Sequence, residues 1–515
     1  MIQLKTIPSH VEKSTRLLQY VLFCVIALLY CYTAYSSFGY DDEYYNIRVV
    51  SENTLGELIR IVQSTDIHPP LSYILNFLLF KVFHSWSAVR IFSAVLFLLS
   101  LLYVVTKTKS NKERLWALVL LGFNPTLLLW VTSVRWYAYA TPILLILSIL
   151  PDFKSKFYWS YFFLCFLFIF FLGYMGFILF IPYFLFYWLN DQNEFKKKVV
   201  RVLVPGLLFT IIYARQLFVF LTVHSKSELG STNQQTFDLK TSLISAASSD
   251  FSNQGIFPLS VWGIISIIGA SVIILSSIFY FREVNKKKHW MIFSVSMILL
   301  VLTGVAGKIR NLVLLEPARN LFIISSLSIK KKAFVLVGVF LLIAGNVVGV
   351  YHVLIHRQTT KNAWNIPLTE TFTTITALES PLAKEVYFTH SPTFTYYLME
   401  LNKNLISFYN SLYFDSSRIK TNVKDLLADT SQNKNFTFVL TYRGKSIPVE
   451  QYDEMLRAMN GIKCDSVRRL QLGPDKEYQL KRKFFPDYPA YDIELIKFYG
   501  VKNTFGSLAV WETGK

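Results

Sequence analysis

The sequence predicts an α-helical polytopic membrane protein, with about eleven transmembrane helices and interfacial helices in the first outer loop, followed by a C-terminal exterior α/β domain. Three observations predict it. The 515-residue chain is 53% hydrophobic and 17% charged, with a mean hydropathy of +0.39, against the ~25% charge of ordinary soluble domains. Its 44 Phe, 30 Tyr and 10 Trp gather in apolar runs, many near the ~20 residues that cross a ~30 Å hydrocarbon core. Its lysines and arginines cluster in alternate gaps between those runs, the asymmetry that orients membrane proteins. A disordered, collagenous or wholly cytosolic chain is excluded. Three of the four cysteines (Cys24, Cys31 and Cys165) lie within apolar runs and Cys464 stands alone, so no disulfide framework or zinc cluster is expected. The net charge of +19 reads as orientation and contact with anionic lipid rather than nucleic-acid binding.

The first run, Leu17 to Tyr35, follows Lys5, Lys13 and Arg16 and lacks a small-residue cleavage site, so it reads as an uncleaved anchor. Further spans are expected at 90–106, 115–131, 138–150, 157–172, 175–189, 199–221, 257–281, 290–306, 311–329 and 333–355. The apolar stretch Pro70 to Phe83 has 14 residues. As a helix it reaches about 21 Å, too short to cross, and reads as interfacial. Lysine placement supports leaving it out. The cytosolic side then receives 20 basic residues, in clusters at 5–16, 107–114, 154–156, 196–201, 282–288 and 330–332, while the outer loops before the tail receive nine. Counting the stretch as a crossing would put five of the six clusters outside.

Residues 1–355 are therefore expected as the membrane domain, with its N-terminus in the cytosol and the first outer loop at 36–89. In that loop Leu55, Leu58, Ile59 and Val62 recur at helical spacing and predict an amphipathic helix lying on the bilayer. Residues 356–515 regain charge, and their apolar runs shorten to strand length at Glu385–Thr389, Phe436–Thr441 and Leu508–Glu512, alternating with helix-like stretches such as Val449–Met459. Asn435-Phe436-Thr437 has the form of a glycosylation sequon but falls on a predicted strand, and reads as a chance occurrence.

Four features could carry chemistry. Asp41, Asp42 and Glu43 stand just past the outer end of the first span. They read either as an acidic helix cap or as a general base whose partial burial raises its proton affinity. His68 sits in Asp66-Ile67-His68-Pro69-Pro70-Leu71, where it is a helix-entry residue or a polar contact to substrate. Arg135 and Tyr137 follow Asn124-Pro125 at an outer span mouth, either as an aromatic-belt anchor or as a site. Lys308, Arg310 and Arg319 gather on the face that otherwise avoids basic groups, which asks for an anionic partner such as phosphate. Pairing of Arg319 with Glu316, three residues earlier, is the competing account.

The order of these elements over residues 15–330 resembles the GT-C superfamily of polyprenyl-phosphate-sugar-dependent glycosyltransferases. Closest are the bacterial relatives of dolichyl-phosphate-mannose protein mannosyltransferases and the aminoarabinose transferases of lipid A. The resemblance implies a catalytic carboxylate at Asp42, with Asp41 and Glu43 as the alternatives, an Arg-x-Tyr at Arg135 and Tyr137, and a late arginine at Arg319. It implies a polyprenyl-phosphate sugar as donor, an acceptor protein, lipid or glycan, and no cofactor. The aminoarabinose transferases carry a second Asp after the third span, where this chain has Arg135-Trp136-Tyr137, so no metal is expected. The tail matches no such family, and acceptor identity does not transfer. A flippase or transporter is the rival from another class, and a polysaccharide polymerase the rival enzyme.

Overall fold

A computed structural model describes residues 10–36, 41–65, 69–149 apart from 109, 172–190, 261–280, 287–302, 313–327, 333–355, 368–389, 404–407, 434–443, 464–472 and 491–501, with isolated positions between 164 and 214 and at 394 and 398. The chain divides into two units, Met1–Gly39 with Tyr45–Arg357, and Tyr40–Tyr44 with Gln358–Lys515. The described residues are mostly helical, with one small sheet.

In the first unit α1 is His10–Ser36, α2 Asp41–Glu52 (its first residues, to Tyr44, group with the second unit), α3 Leu55–Thr65, α4 Leu71–Phe83 and α5 Trp86–Lys107. The run expected as a surface helix begins with a capping box: the backbone N–H and hydroxyl of Thr54 donate to Glu57 Oε2 at 2.9 and 2.8 Å, and the Glu57 N–H donates back to Thr54 Oγ1 at 3.4 Å. Of the expected stripe, Leu58 and Val62 are buried with Val49 and Val50 of α2 and Tyr73 of α4 and Ile59 packs against them, whereas Leu55 is exposed. In α5, Ser93 and Ser100 return their hydroxyls to carbonyls one turn back, at 3.3 and 2.9 Å. Polar side chains in an apolar helix are thereby satisfied without water.

Among the described residues three helices are long and apolar enough to cross a membrane, Ser14–Ser36, Trp86–Lys107 and Ala333–Tyr351. Two of the runs expected as single spans are built differently. The run at 115–131 breaks into α6, Asn111–Gly122, and α7, Pro125–Trp130. Pro125 has no N–H to continue the ladder and biases Asn124 away from the helical region, so Asn124 (ψ 117°) ends one helix and caps the next. The run at 311–329 holds an 11-residue helix, α12, Glu316–Ser326, with a proline in its first turn. At 1.5 Å per residue it spans about 16 Å, half a hydrocarbon core. The expected spans at 157–172 and 199–221 lie largely outside the described residues.

The other helices of this unit are α8 Trp136–Leu147, α9 Tyr174–Asn190, α10 Val261–Phe279, α11 Lys287–Leu302 and α13 Ala333–Ile355. At the far end of α8 a buried polar clamp joins α8, α9, α11 and α12. His289 Nδ1 lies 2.8 Å from Ser325 Oγ, its Nε2 lies 3.1 Å from the Ser148 carbonyl, and Ser148 Oγ meets the Tyr183 hydroxyl at 2.9 Å. The carbonyl only accepts, so Nε2 carries a proton.

Helices α10 and α13 approach through Gly269 and Gly338. A Cβ on Gly338 would stand 2.8 Å from the Gly269 carbonyl oxygen and 2.7 Å from Ile273 Cγ1, and a Cβ on Gly269 2.7 Å from the Gly338 carbonyl oxygen. Small residues let membrane helices pack backbone to backbone. Gly338→Leu is expected to destabilise the fold by ~1–3 kcal/mol through overpacking. Gly56→Ala, where nothing lies within 4 Å, is expected to be neutral or stabilising by ~0.5–1 kcal/mol. Melting temperatures in detergent check the contrast; equal behaviour of the two variants would contradict the close helix contact.

The second unit contains α14, Leu368–Leu378, and β1 Lys384–Thr389, β2 Asn404–Ser407, β3 Lys434–Arg443, β4 Ser466–Leu472 and β5 Tyr491–Val501, in the order β2-β1-β3-β5-β4. β1 is parallel to β2 and β3, whereas β5 is antiparallel to β3 and β4. Central β3 is buried from Lys434 to Leu440, as expected of a strand covered on both faces. β1 and β3 contain the strands expected at 385–389 and 436–441; the strand at 508–512 and the helix at 449–459 lie outside the described residues. Buried Lys497 is paired with Glu385 Oε1 at 2.7 Å and also donates to the Leu378 carbonyl, tying α14 to the sheet. Burial pushes the Tyr387 phenol far above its ordinary range, and its bond to Glu379 adds to the shift. Asn435 of the sequon is buried, donates to Glu385 Oε1 at 2.9 Å and accepts from the Gly500 N–H at 3.2 Å. Its amide is an internal strand contact, as the chance reading expects.

Candidate functional site

Helix α4 is built inside out. Its buried residues are Ser72, Tyr73 and Asn76, all polar or carrying a hydroxyl, whereas Leu78, Val82 and Phe83 are 51%, 71% and 44% exposed. In water this arrangement would be unfavourable; against lipid it puts the apolar side outward and the polar side toward protein. Tyr73 and Asn76, three residues apart, share a helix face.

That polar face meets the start of α8. Between α7 and α8 the chain turns over residues 131–135, where Thr132 donates to the Leu128 and Leu129 carbonyls and Ser133 to that of Trp130. Arg135 then occupies the N-cap position of α8 with an extended backbone, leaving its side chain out of the cap. The buried guanidinium donates through Nη1 to the Tyr73 hydroxyl at 3.3 Å. One turn on, the Tyr139 hydroxyl donates to Asn76 Oδ1 at 2.5 Å, and Asn76 Nδ2 donates to Asn46 Oδ1 at 3.1 Å and toward the Val134 carbonyl at 3.5 Å. Tyr137 is buried edge-to-face against Trp130 and Trp136, with ring centroids 5.7 and 5.6 Å away.

Arg319 enters a different group. Glu316 Oε2 accepts from its guanidinium, from Asn124 Nδ2 at 2.6 Å and from Asn320 Nδ2 at 3.1 Å. All four residues are buried. Asn124 does two jobs, since its Oδ1 also accepts from the Leu127 N–H at 2.9 Å and so caps α7. The pairing of Arg319 with Glu316, raised above as the competing account, is thus what the structure contains. Helix α12, which carries this pair, packs against α6, α8 and α11, and α8 packs also against α4 and α5, so α8 is common to both groups.

Of the expected acidic residues, Asp41, Asp42 and Glu43 form the first turn of α2, and Glu43 is fully buried. Along α2, position 42 lies one turn before Asn46 and two before Val49, both buried, while position 41 falls toward the opposite side. His68, Lys308 and Arg310 lie outside the described residues. Sequence reasoning missed Asn46, Asn76 and Tyr139 and undervalued Glu316 and Asn124. The available signal was Asn76 as a lone amide in the apolar run 71–83. Asn124-Pro125 inside a supposed span was another.

No family model matches the chain, and no curated protein matches it significantly.

Proposed function

We propose that this chain is a membrane glycosyltransferase with a GT-C-like membrane domain of about eleven spans. In this reading it moves a monosaccharide from a polyprenyl-phosphate donor to an acceptor hydroxyl at the outer face of the cell membrane. The observation that carries the proposal is the inside-out α4: a buried guanidinium, Arg135, lies with Tyr73 beneath a helix whose outer side suits lipid. A lipid-borne phosphate needs such a cation at the bilayer edge. Asp42 takes the proton of the acceptor hydroxyl as its oxygen attacks the anomeric carbon. The bond from that carbon to the phosphate oxygen breaks, and polyprenyl phosphate departs with the charge balanced by arginine. Arg319, paired with Glu316, stands in the neighbouring buried group.

Arg135→Lys tests the phosphate role. An anchoring arginine tolerates lysine, whereas a planar guanidinium that grips phosphate through parallel hydrogen bonds does not. Binding of undecaprenyl phosphate to the purified variant is expected to weaken about tenfold or more, one charge-assisted hydrogen bond's worth. Unchanged affinity would remove Arg135 from the phosphate site. Orientation is tested separately in intact cells: a cysteine at position 40 is expected to react with an impermeant reagent and one at position 110 is not. Labelling at 110 would invert the topology.

A lipid-linked-sugar flippase or transporter is favoured by one observation, the buried Glu316–Arg319 pair in the helical unit. Ionisable groups at such depth mark transport pathways as well as catalytic sites.

A further inference from the structure

We infer that Asn46 is a sugar-binding residue, its side-chain N–H groups donating to a ring hydroxyl of the lipid-linked monosaccharide; the inference rests on the glycosyl-transfer reading above. Asn46 is fully buried, and its Nδ2 has no hydrogen-bond partner among the described residues. Its orientation follows from its neighbours. The Val134 carbonyl, 3.5 Å from Asn76 Nδ2, accepts only, so the Asn76 amide nitrogen faces it. The Asn76 oxygen is then left to accept from the Tyr139 hydroxyl, and the same Asn76 nitrogen makes Asn46 Oδ1 the acceptor at 3.1 Å. The chain of donation therefore runs from Tyr139 through Asn76 to Asn46 and ends on two buried N–H groups.

Leaving a buried amide donor without an acceptor is unfavourable, so the molecule has a reason to present it only where a ligand supplies the acceptor. The donor is neutral, which suits a hydroxyl oxygen. The phosphate is better served by the neighbouring cation, Arg135, which reaches the same face of α4 through Tyr73. Tyr73 and Asn76 stand one turn apart, with Cβ atoms about 5–6 Å from each other. Arg135 and Asn46 thus hydrogen-bond to neighbouring positions of one α4 face, the cation suited to the phosphate and the amide to the sugar.

Binding of undecaprenyl phosphate is compared with that of undecaprenyl-phosphate mannose and undecaprenyl-phosphate glucose, using detergent-purified full-length protein and melting temperature as the check on folding. The wild type is expected to bind at least one sugar-bearing lipid more tightly than the bare phosphate. Asn46→Ala is expected to weaken that lipid about tenfold, the loss of one hydrogen bond, and to leave the bare phosphate unchanged. Tyr139→Phe keeps Asn46 but removes the head of the relay, and is expected to weaken the same lipid selectively by a smaller factor. It decides the question if Asn46→Ala does not fold. Equal loss for both lipids, or no loss, overturns the role of Asn46 while leaving glycosyl transfer standing. A wild type that binds none of the three lipids overturns the functional reading itself, and this inference with it.

Discussion

Asp42→Asn is expected to lower sugar transfer by ~10²–10⁴ with little change in donor affinity, because the amide keeps the volume of the side chain but cannot take the acceptor proton. Asp41→Asn is expected to cost far less. Position 41 falls toward the opposite side of α2 from the buried Asn46 and Val49, whereas position 42 falls near that buried side. Glu43 is the informative third variant, since its carboxylate is fully buried. If Glu43→Gln abolishes turnover and Asp42→Asn does not, the base lies one position later. Single-turnover rates with saturating donor separate the three, and near-normal rates in all of them would return this turn to the role of an acidic helix cap.

Removing Glu316 is expected to have the largest effect on stability. Its Oε2 gathers a guanidinium and two amides in a buried setting, so Glu316→Ala removes their shared acceptor, leaving Asn320 only its 2.8 Å bond to the backbone carbonyl of position 316. Breaking a buried ion pair by deleting one partner typically costs ~3–5 kcal/mol. The double variant Glu316→Leu with Arg319→Met removes both charges and is expected to be less damaging than either single deletion, which melting in detergent will show. Arg319→Lys then separates structure from donor binding. If the pair only holds α12 against α6, lysine keeps both the charge and undecaprenyl phosphate affinity. If Arg319 also grips phosphate, affinity falls at unchanged melting temperature.

These effects follow from features of unequal visibility in the sequence. The run at 333–355 and the strands at 384–389 and 434–443 were legible, because hydropathy over ~20 residues and runs of β-branched and aromatic residues report burial directly. The helix at 55–65 was legible from the spacing of Leu58 and Val62. Short α4 was legible as a helix too short to cross, but its inward polar side was signalled only faintly, by Asn76 in an otherwise apolar run. The division of 115–131 at Asn124 was hidden by averaging, since one Asn-Pro step scarcely lowers the hydropathy of a long window. Glu316 was visible only as a local partner of Arg319; its bond to Asn124, 192 residues away, depends on tertiary contact that no local pattern encodes. Arg135 was singled out as a residue of interest, yet Tyr73, Asn76 and Asn46 could be joined to it only once α2, α4 and α8 were seen together.

The most direct test of glycosyl transfer is chemical. Purified protein in native-like vesicles, with membrane extract as the source of acceptor, is supplied with a panel of polyprenyl-phosphate sugars, and free polyprenyl phosphate is measured against sugar incorporated. The account predicts that at least one donor yields one polyprenyl phosphate per sugar transferred, and that Asp42→Asn abolishes both products together. Movement of an intact lipid-linked sugar across the bilayer with no release from any donor would contradict it.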